Sequence, residues 1–376
     1  MLKRCYKNTA EEISILGYGN MRLPKVSPDK QDIDYPEAQK LIDYAYAHGV
    51  NYYDTAYVYH DQKSETFVGH ALQKYPRESY YIATKMPGWC VKTMEDVDRI
   101  FHEQLDRLQT DYIDFYLCHA LSTENYKIYE QVDIYGYLKK KKEEGAIRHL
   151  GFSFHDKPEV LEQLLDKHEW DFVQIQLNYL DWEMQNAKRQ YEILAERGIP
   201  CIVMEPVRGG ALARLCEESV SILEEACPGK SPASWAIRYA ASLPNVLTVL
   251  SGMSTMDQVV DNVATTADFQ PLSEGERGTL DRALEAFRRN KTQPCTGCRY
   301  CMDCPSGVDI PLMFTLYNNY RITENKNGFI NGYKEAGAKQ AQNCIQCGQC
   351  AVHCPQSIEI PARMQEIAAL AEELAK

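Results

Sequence analysis

Short apolar runs alternate with longer amphipathic ones between about residue 13 and residue 265. The short runs, residues 13–16, Tyr52–Asp54, 80–84, 112–117, 149–152, Phe172–Gln176, Cys201–Met204 and 247–250, predict strands. Helical periodicity fills the gaps between them. In Tyr35–Ala47 the side chains of Ala38, Leu41, Ile42, Ala45 and Tyr46 fall on one face, and Gly49 follows as a C-cap. Residues 95–108 repeat the pattern with Val97, Ile100, Phe101, Leu105 and Leu108. Pro158 opens a helix ending near His168, and Pro232 opens another. Strand–helix units in series require parallel strands with right-handed crossovers. Eight such units in about 250 residues predict an α/β fold, the closed (β/α)8 or TIM barrel.

The rival architecture is an open doubly wound sheet, which binds a dinucleotide through G-x-G-x-x-G after its first strand. Gly17-Tyr18-Gly19 supplies only the first two glycines, and no P-loop occurs, so that fold is rejected. Beyond the barrel, residues 272–290 predict a helical linker with Leu280, Leu284 and Phe287 on one side. Residues 361–376 predict an Ala/Glu/Leu-rich amphipathic helix. The expected organisation is a barrel over 1–270, a linker over 271–290 and a small, mainly helical module over 291–376.

Composition narrows the function classes. A chain of 376 residues has room for one large domain and one small one. Its net charge of −12 leaves no basic surplus to neutralise phosphates, which argues against nucleic acid. The basic run over 139–142 is bracketed by Glu143 and Glu144 and reads as a solvated helix face. No apolar run approaches the roughly 18 residues of a membrane span. The N-terminus, MLKRCYKNTAEEI, has no apolar core of a secretory signal, so a cytoplasmic protein is expected.

Eight of the fourteen cysteines form two tight runs that each end in Cys-Pro. The first is Cys295, Cys298, Cys301, Cys304-Pro305; the second is Cys344, Cys347, Cys350, Cys354-Pro355. The second has the C-x2-C-x2-C-x3-C-P spacing of bacterial ferredoxins, in which three thiolates bind one cluster and the fourth reaches to another. Two such runs predict two [4Fe–4S] clusters. Structural zinc usually pairs two C-x2-C knuckles across a longer gap, and a disulfide framework suits small secreted domains. The first run has two residues rather than three before Cys304, which leaves open whether Cys304 crosses to the second cluster. About forty residues separate the runs, more than in a compact bacterial ferredoxin. This resembles the helical two-cluster modules fused to larger enzymes. Cys5, Cys90, Cys118, Cys201, Cys216 and Cys227 lack ligand spacing and read as buried, reduced thiols.

In a barrel, functional side chains sit at the C-terminal ends of strands. Reading those ends in order gives Asp54 and Tyr59 (NYYDTAYVYH), Lys85 (YIATKMP) and His119 (DFYLCHA), with Tyr57 a rival to Tyr59. On these residues the chain resembles the aldo-keto reductase family, whose tetrad is Asp, Tyr, Lys and His in this order. With the cysteine tail it resembles the ferredoxin-fused branch. The resemblance implies carbonyl reduction, with hydride delivered to carbon and a proton to oxygen. A free tyrosine is a poor acid, with a pKa of about 10. A neighbouring Lys85 ammonium would favour its anion, Asp54 would hold that ammonium, and a neutral His119 would hydrogen-bond the substrate oxygen.

The resemblance also implies cofactor contacts. Ser153 and Gln174 match residues that hold the nicotinamide amide, although Phe154 replaces an expected Asn. Met204 occupies the position of a stacking aromatic, and Gly209 and Gly210 would let backbone amides approach a pyrophosphate. In SGMSTMDQVVDN, the residues Gly252, Ser254, Thr255, Gln258 and Asn262 match the adenosine-phosphate motif. Gln258 replaces its usual arginine, which weakens the case for NADP over NAD. Trp89, Trp182 and Tyr57 are candidates to line a substrate pocket.

Three functions follow from these features: an NAD(P)-dependent carbonyl reductase, a ferredoxin-linked oxidoreductase, and a non-enzymatic carrier on a retired barrel. The four polar strand-end residues argue against the third. Hydride carries two electrons and a cluster takes one, a gap that a flavin commonly bridges. No flavin motif is present, so the second reading needs an unrecognised flavin or a partner such as an external ferredoxin or flavodoxin. The expected activity is therefore NAD(P)-dependent interconversion of a small-molecule carbonyl and alcohol, with Tyr59 as general acid/base. Electron-linked chemistry is the alternative.

Overall fold

The computed structural model describes residues 1–7, 9–27 and 30–376. It divides into two compact units, Met1–Pro206 with Ala236–Leu272, and Val207–Trp235 with Ser273–Lys376.

The first unit opens with an antiparallel pair, β1 (Lys3–Cys5) and β2 (Glu12–Ser14). Eight parallel strands then close into a barrel: β3 (Leu16–Gly19), β4 (Tyr52–Asp54), β5 (Tyr81–Met86), β6 (Ile113–Leu121), β7 (Ile147–Phe154), β8 (Phe172–Gln176), β9 (Cys201–Met204) and β10 (Val246–Ser251). The strand expected over 13–16 is thus two elements. Ile13 pairs across the short hairpin, and the barrel strand begins at Leu16, because Ile13 and Tyr6 pack with Phe115, Phe172 and Leu247 in one buried cluster inside the barrel. Gly17 is explained by the barrel rather than by a dinucleotide turn: a Cβ there would stand 2.6 Å from Leu250 and 3.1 Å from Thr248.

Helices follow the strands as the periodicity predicts. Tyr35–Ala47 is capped by Asp34, whose carboxylate accepts from the Glu37 N–H, and it buries Ala38, Leu41, Ile42 and Ala45. Met94–Leu108 starts from a Thr93/Asp96 capping box and buries Val97, Ile100, Phe101 and Leu108. Their buried faces and the outer faces of the strands share one continuous core.

The second unit is mainly helical. Glu274–Arg288, opened by a Ser273/Glu276 capping box, packs on Glu217–Ala226, where the Ser219 hydroxyl donates to the Ala283 carbonyl at 2.7 Å. Helices Ile310–Thr323, Lys326–Glu335 and Ile360–Ala375 enclose a small core of Val308, Met313, Phe314, Phe329, Tyr333 and Met364. Of the six scattered cysteines, Cys118, Cys201 and Cys216 are buried and Cys227 is partly so, but Cys5 and Cys90 are exposed. Cys5 ends a two-stranded edge and Cys90 sits in the turn after β5, where no layer covers either. Among the described residues, no helix is long and apolar enough to cross a membrane.

Candidate active site and cysteine cages

Asp54 ends β4 and Lys85 is the penultimate residue of β5, so adjacent parallel strands carry the two side chains to the same end of the barrel. The Lys85 ammonium donates to both Asp54 oxygens at 2.8 and 2.7 Å and to the Thr55 carbonyl at 2.6 Å. Both residues are buried. Burial lowers the Lys85 pKa and raises that of Asp54, and their mutual attraction opposes both shifts. Glu65, also buried, adds negative potential at Lys85 while accepting from Thr84 and Gln104 at 2.5 and 2.7 Å.

Tyr59 lies in the turn before the helix Ser64–Leu72. The three residues after it, His60, Asp61 and Gln62, take left-handed φ of 52°, 50° and 67°. Such a run is costly for residues with a Cβ and must be held from outside. The His60 ring does part of this by accepting the Leu23 N–H at 3.2 Å. Lys85 Nζ stands 5.1 Å from the centre of the Tyr59 ring, and the His119 ring meets Tyr59 edge-on at 6.1 Å. The rival Tyr57 is engaged elsewhere, donating to Glu103 at 2.7 Å beneath the Arg107 guanidinium. Trp89, 47% exposed, lies 4.8 Å from the His119 ring, whereas Trp182 packs on Tyr191 and Tyr239.

His119 sits at an irregularity in β6. Cys118 pairs with Phe152 and Leu121 with Phe154, so one extra residue is accommodated at 119–120, and Ala120 takes φ 53°. Two hydroxyls fix this bulge. Ser153 Oγ accepts the Ala120 N–H at 2.7 Å, and Tyr129 Oη accepts the His119 N–H at 2.9 Å. Burial, reinforced by the Lys85 charge, drives the His119 pKa well below the usual histidine value. Its imidazole is therefore neutral at neutral pH.

Beyond Ser153, the residues matched to cofactor contacts fall into three places. Gln174 and Met204 meet inside the barrel, where Gln174 Nε2 donates to the Met204 sulfur at 3.5 Å. Gln174 Oε1 is buried and has no hydrogen-bond partner among the described residues, an acceptor whose chemistry fits a carboxamide N–H. Beyond β10, Gly252 packs beside Arg22, Ser254 Oγ donates to the Arg22 carbonyl at 2.5 Å, and Asn262 Nδ2 donates to Ser251 at 2.9 Å. Thr255 caps the helix Met256–Ala267, and Gln258 Oε1 accepts the Ser254 N–H at 2.7 Å. Gly209 and Gly210 belong to the second unit. Gly209, at φ 61°, presses against the Thr296 carbonyl so closely that a Cβ would overlap it.

The eight clustered cysteines ring two cavities within the second unit. Cys295, Cys298, Cys301 and Cys354 line one of about 310 Å³. Cys304, Cys344, Cys347 and Cys350 line another of about 350 Å³. Each run therefore sends its fourth cysteine to the other run's cavity, including Cys304 despite its shorter spacing. Four thiols around each space are the donor set of an iron–sulfur cluster. Among the described residues no three His, Cys, Asp or Glu side chains converge as ligands of a single ion. Tyr129, which fixes the His119 bulge, carries no mark in the sequence. It lies mid-helix with no strand-end signal.

The profile of the Aldo/keto reductase family matches residues 15–285, and that of a 4Fe-4S dicluster domain matches residues 294–359. The Bacillus subtilis (strain 168) protein named uncharacterized oxidoreductase YqkF is 27% identical over 306 residues, 73% of this chain and 94% of that one. L-galactose dehydrogenase of Arabidopsis thaliana is 26% identical, covering 72% and 89%. NADH-specific methylglyoxal reductase of Escherichia coli (strain K12) is 26% identical, covering 74% and 96%. The structure of aldo-keto reductase AKR11C1 from Bacillus halodurans (holo form) aligns with a TM-score of 0.61 at 27% identity, covering 75% of this chain and 96% of that one. The chain is an oxidoreductase of the aldo/keto reductase family, with a 4Fe–4S dicluster domain C-terminal to its barrel.

Proposed function

We propose that this protein interconverts a small-molecule carbonyl and its alcohol with NAD(P), using Tyr59 as general acid/base, and holds two [4Fe–4S] clusters in its cysteine cages. The observation that carries the reading is the Lys85 ammonium, clamped by Asp54 at 2.7 and 2.8 Å and standing 5.1 Å from the Tyr59 ring. A buried cation there lowers the cost of the phenolate left when Tyr59 gives its proton to the substrate oxygen. Neutral His119 orients that oxygen by a hydrogen bond and adds no competing charge. When bound, reduced nicotinamide supplies the hydride to carbon. Gln174 and Ser153 would hold its amide and Met204 would pack on the ring. Gly252, Ser254, Thr255, Gln258 and Asn262 would contact its phosphates and adenosine. Relatives named for L-galactose and methylglyoxal support a substrate of this small size.

A second reading, in which the clusters exchange electrons with a ferredoxin or flavodoxin, is favoured by one feature. Ile345, 65% exposed, lines the cage of Cys344, Cys347 and Cys350, so this cage offers an apolar surface to a partner. The deciding experiment has two arms. Tyr59→Phe should cut carbonyl reduction by about 10²–10⁴-fold with nucleotide binding intact; unchanged reduction rejects the first reading. Anaerobic addition of NADPH or NADH to the holoprotein should leave the cluster spectrum unchanged under the first reading. Bleaching of the visible absorbance with a new paramagnetic signal supports the second.

A further inference from the structure

The left-handed run of residues 60–62 separates Tyr59 from the helix Ser64–Leu72, and its two ends are tied to different parts of the barrel. At the helix end, Ser64 Oγ accepts from the Thr55 hydroxyl at 2.8 Å and donates to the Asn20 carbonyl at 3.1 Å. At the Tyr59 end the tie is the His60 ring, which is buried. Its Nε2 accepts the Leu23 N–H at 3.2 Å, and its Nδ1 lies 3.3 Å from the Gln31 carbonyl. A backbone N–H can only donate and a carbonyl can only accept, so the two bonds together require the neutral ring with its proton on Nδ1. Burial is the largest influence on the ring and lowers its pKa; Lys25 acts in the same sense, and the Gln31 and Met21 carbonyls and Asp61 oppose them without prevailing.

The far side of the tie is firm. Leu23 is buried in the main core. The Val26 N–H donates to the Asp32 carbonyl at 3.0 Å and the Asp34 N–H to the Pro24 carbonyl at 2.9 Å, so residues 24–26 are paired with residues 32–34 between the ring's two partners and the first long helix. Lys63 adds an outer ion pair to Asp32 at 2.5 Å. The turn's own backbone bonds, Tyr59 N–H to the Ala56 carbonyl and Ser64 N–H to the Tyr59 carbonyl, give it shape but join it to itself. Histidine is a costly residue at φ 52°, a conformation that glycine reaches without strain. Such strain persists where the contacts of the side chain over-determine it.

Resting on the reading of Tyr59 as general acid/base, we propose that His60 is a positioning residue for that phenol: its ring, bound to the Leu23 N–H and the Gln31 carbonyl, pins the Tyr59 turn and fixes the distance of the phenol from Lys85. His60 touches neither substrate nor nucleotide in this role and acts through Tyr59. The two residues are neighbours in the chain, so a displacement of the His60 backbone carries Tyr59 with it. A misplacement of about 1 Å at a reacting group costs ~10²-fold in rate. The ring is the device that prevents it, and the left-handed backbone is what aims the ring at Leu23.

The test uses the full-length holoprotein with methylglyoxal and NADH as the probe pair. His60→Gly adopts the left-handed conformation without strain but has no ring, so it separates the tie from the backbone. Its kcat should fall about tenfold or more with nucleotide affinity unchanged. His60→Gln, whose amide oxygen can accept the Leu23 N–H, should recover most of the loss. In a Tyr59→Phe background, His60→Gly should cost little more, because both changes remove the same proton transfer. A second readout needs no turnover. In protein whose tyrosines carry carbon-13 at Cζ, the Tyr59 signal, assigned by its absence in Tyr59→Phe, should move in His60→Gly and hold in His60→Gln. If the probe is not reduced, or Tyr59→Phe leaves its reduction untouched, the reading of Tyr59 fails, and the Tyr59 signal still decides whether His60 positions the phenol. Full kcat in His60→Gly, an equal loss with and without the Tyr59 hydroxyl, or an unmoved Tyr59 signal would overturn the proposal.

Discussion

The backbone N–H of His119 donates to the hydroxyl of Tyr129 at 2.9 Å, and the same hydroxyl donates to the Met86 carbonyl at 2.6 Å and accepts the Gly88 N–H at 3.1 Å. One phenol thus ties the end of the strand carrying Lys85 to the bulge carrying His119. Tyr129→Phe keeps the ring and removes all three bonds. Leaving buried backbone groups unpaired should cost ~1–3 kcal/mol of stability, read as a lower urea midpoint. Because the bulge positions His119, kcat should fall about tenfold or more while nucleotide affinity is unchanged. A normal kcat would show that the bulge holds without Tyr129.

Stability should fall in mild acid. Burial lowers the His155 pKa from 6.5 to about 4, and His119 is driven well below 6.5. The unfolded chain takes up protons near 6.5 that the folded protein resists, so stability is full above that value and is lost as pH falls toward 4. Urea midpoints measured anaerobically from pH 7.5 to 5.5 should decline, and His155→Gln should flatten the decline. An unchanged slope in the variant would remove His155 as a cause.

The exchange of fourth cysteines makes an ordering prediction. Cys295→Ala with Cys298→Ala should lose one cluster, and adding Cys354→Ala should lose no further iron. Adding Cys304→Ala instead should remove the remaining cluster as well. If each run closed its own cage, these two outcomes would be reversed. Iron analysis and visible absorbance distinguish them.

Nucleotide preference should respond to Gln258. Its side-chain oxygen accepts the Ser254 N–H, a role an arginine cannot fill. Gln258→Arg should instead grip a 2′-phosphate by charge-assisted bonds worth ~1.5–3 kcal/mol, moving the NADPH-to-NADH affinity ratio by roughly tenfold or more. Fluorescence titration with each nucleotide measures it. No change would show that the 2′-phosphate lies away from this helix.

Much of the barrel was legible because its signals are local. Tyr52–Asp54, Phe172–Gln176, Cys201–Met204 and the helix Tyr35–Ala47 coincide with their periodic segments, since each presents an apolar face at the spacing of its own backbone. At residues 13–16 a continuous apolar run spans both a hairpin end and the start of a barrel strand. Nothing in the run separates the two. Asp54, Tyr59, Lys85 and His119 could be picked out because strand ends share one face of a barrel. Their chemistry was less visible, because the neutrality of His119 and the opposed shifts of Lys85 and Asp54 come from desolvation, which depends on what is packed around them.

By itself, the sequence determined the strand–helix alternation, the strand-end chemistry and the thiol donor sets, all of which rest on spacings of a few residues. Only the tertiary structure decided which fourth cysteine closes which cage and where β6 bulges to aim His119. Each of these brings together groups far apart in the chain, such as Cys304 with Cys344 and Tyr129 with Met86. A local period carries no record of such pairings, because they are selected by the burial and hydrogen bonding of the whole fold.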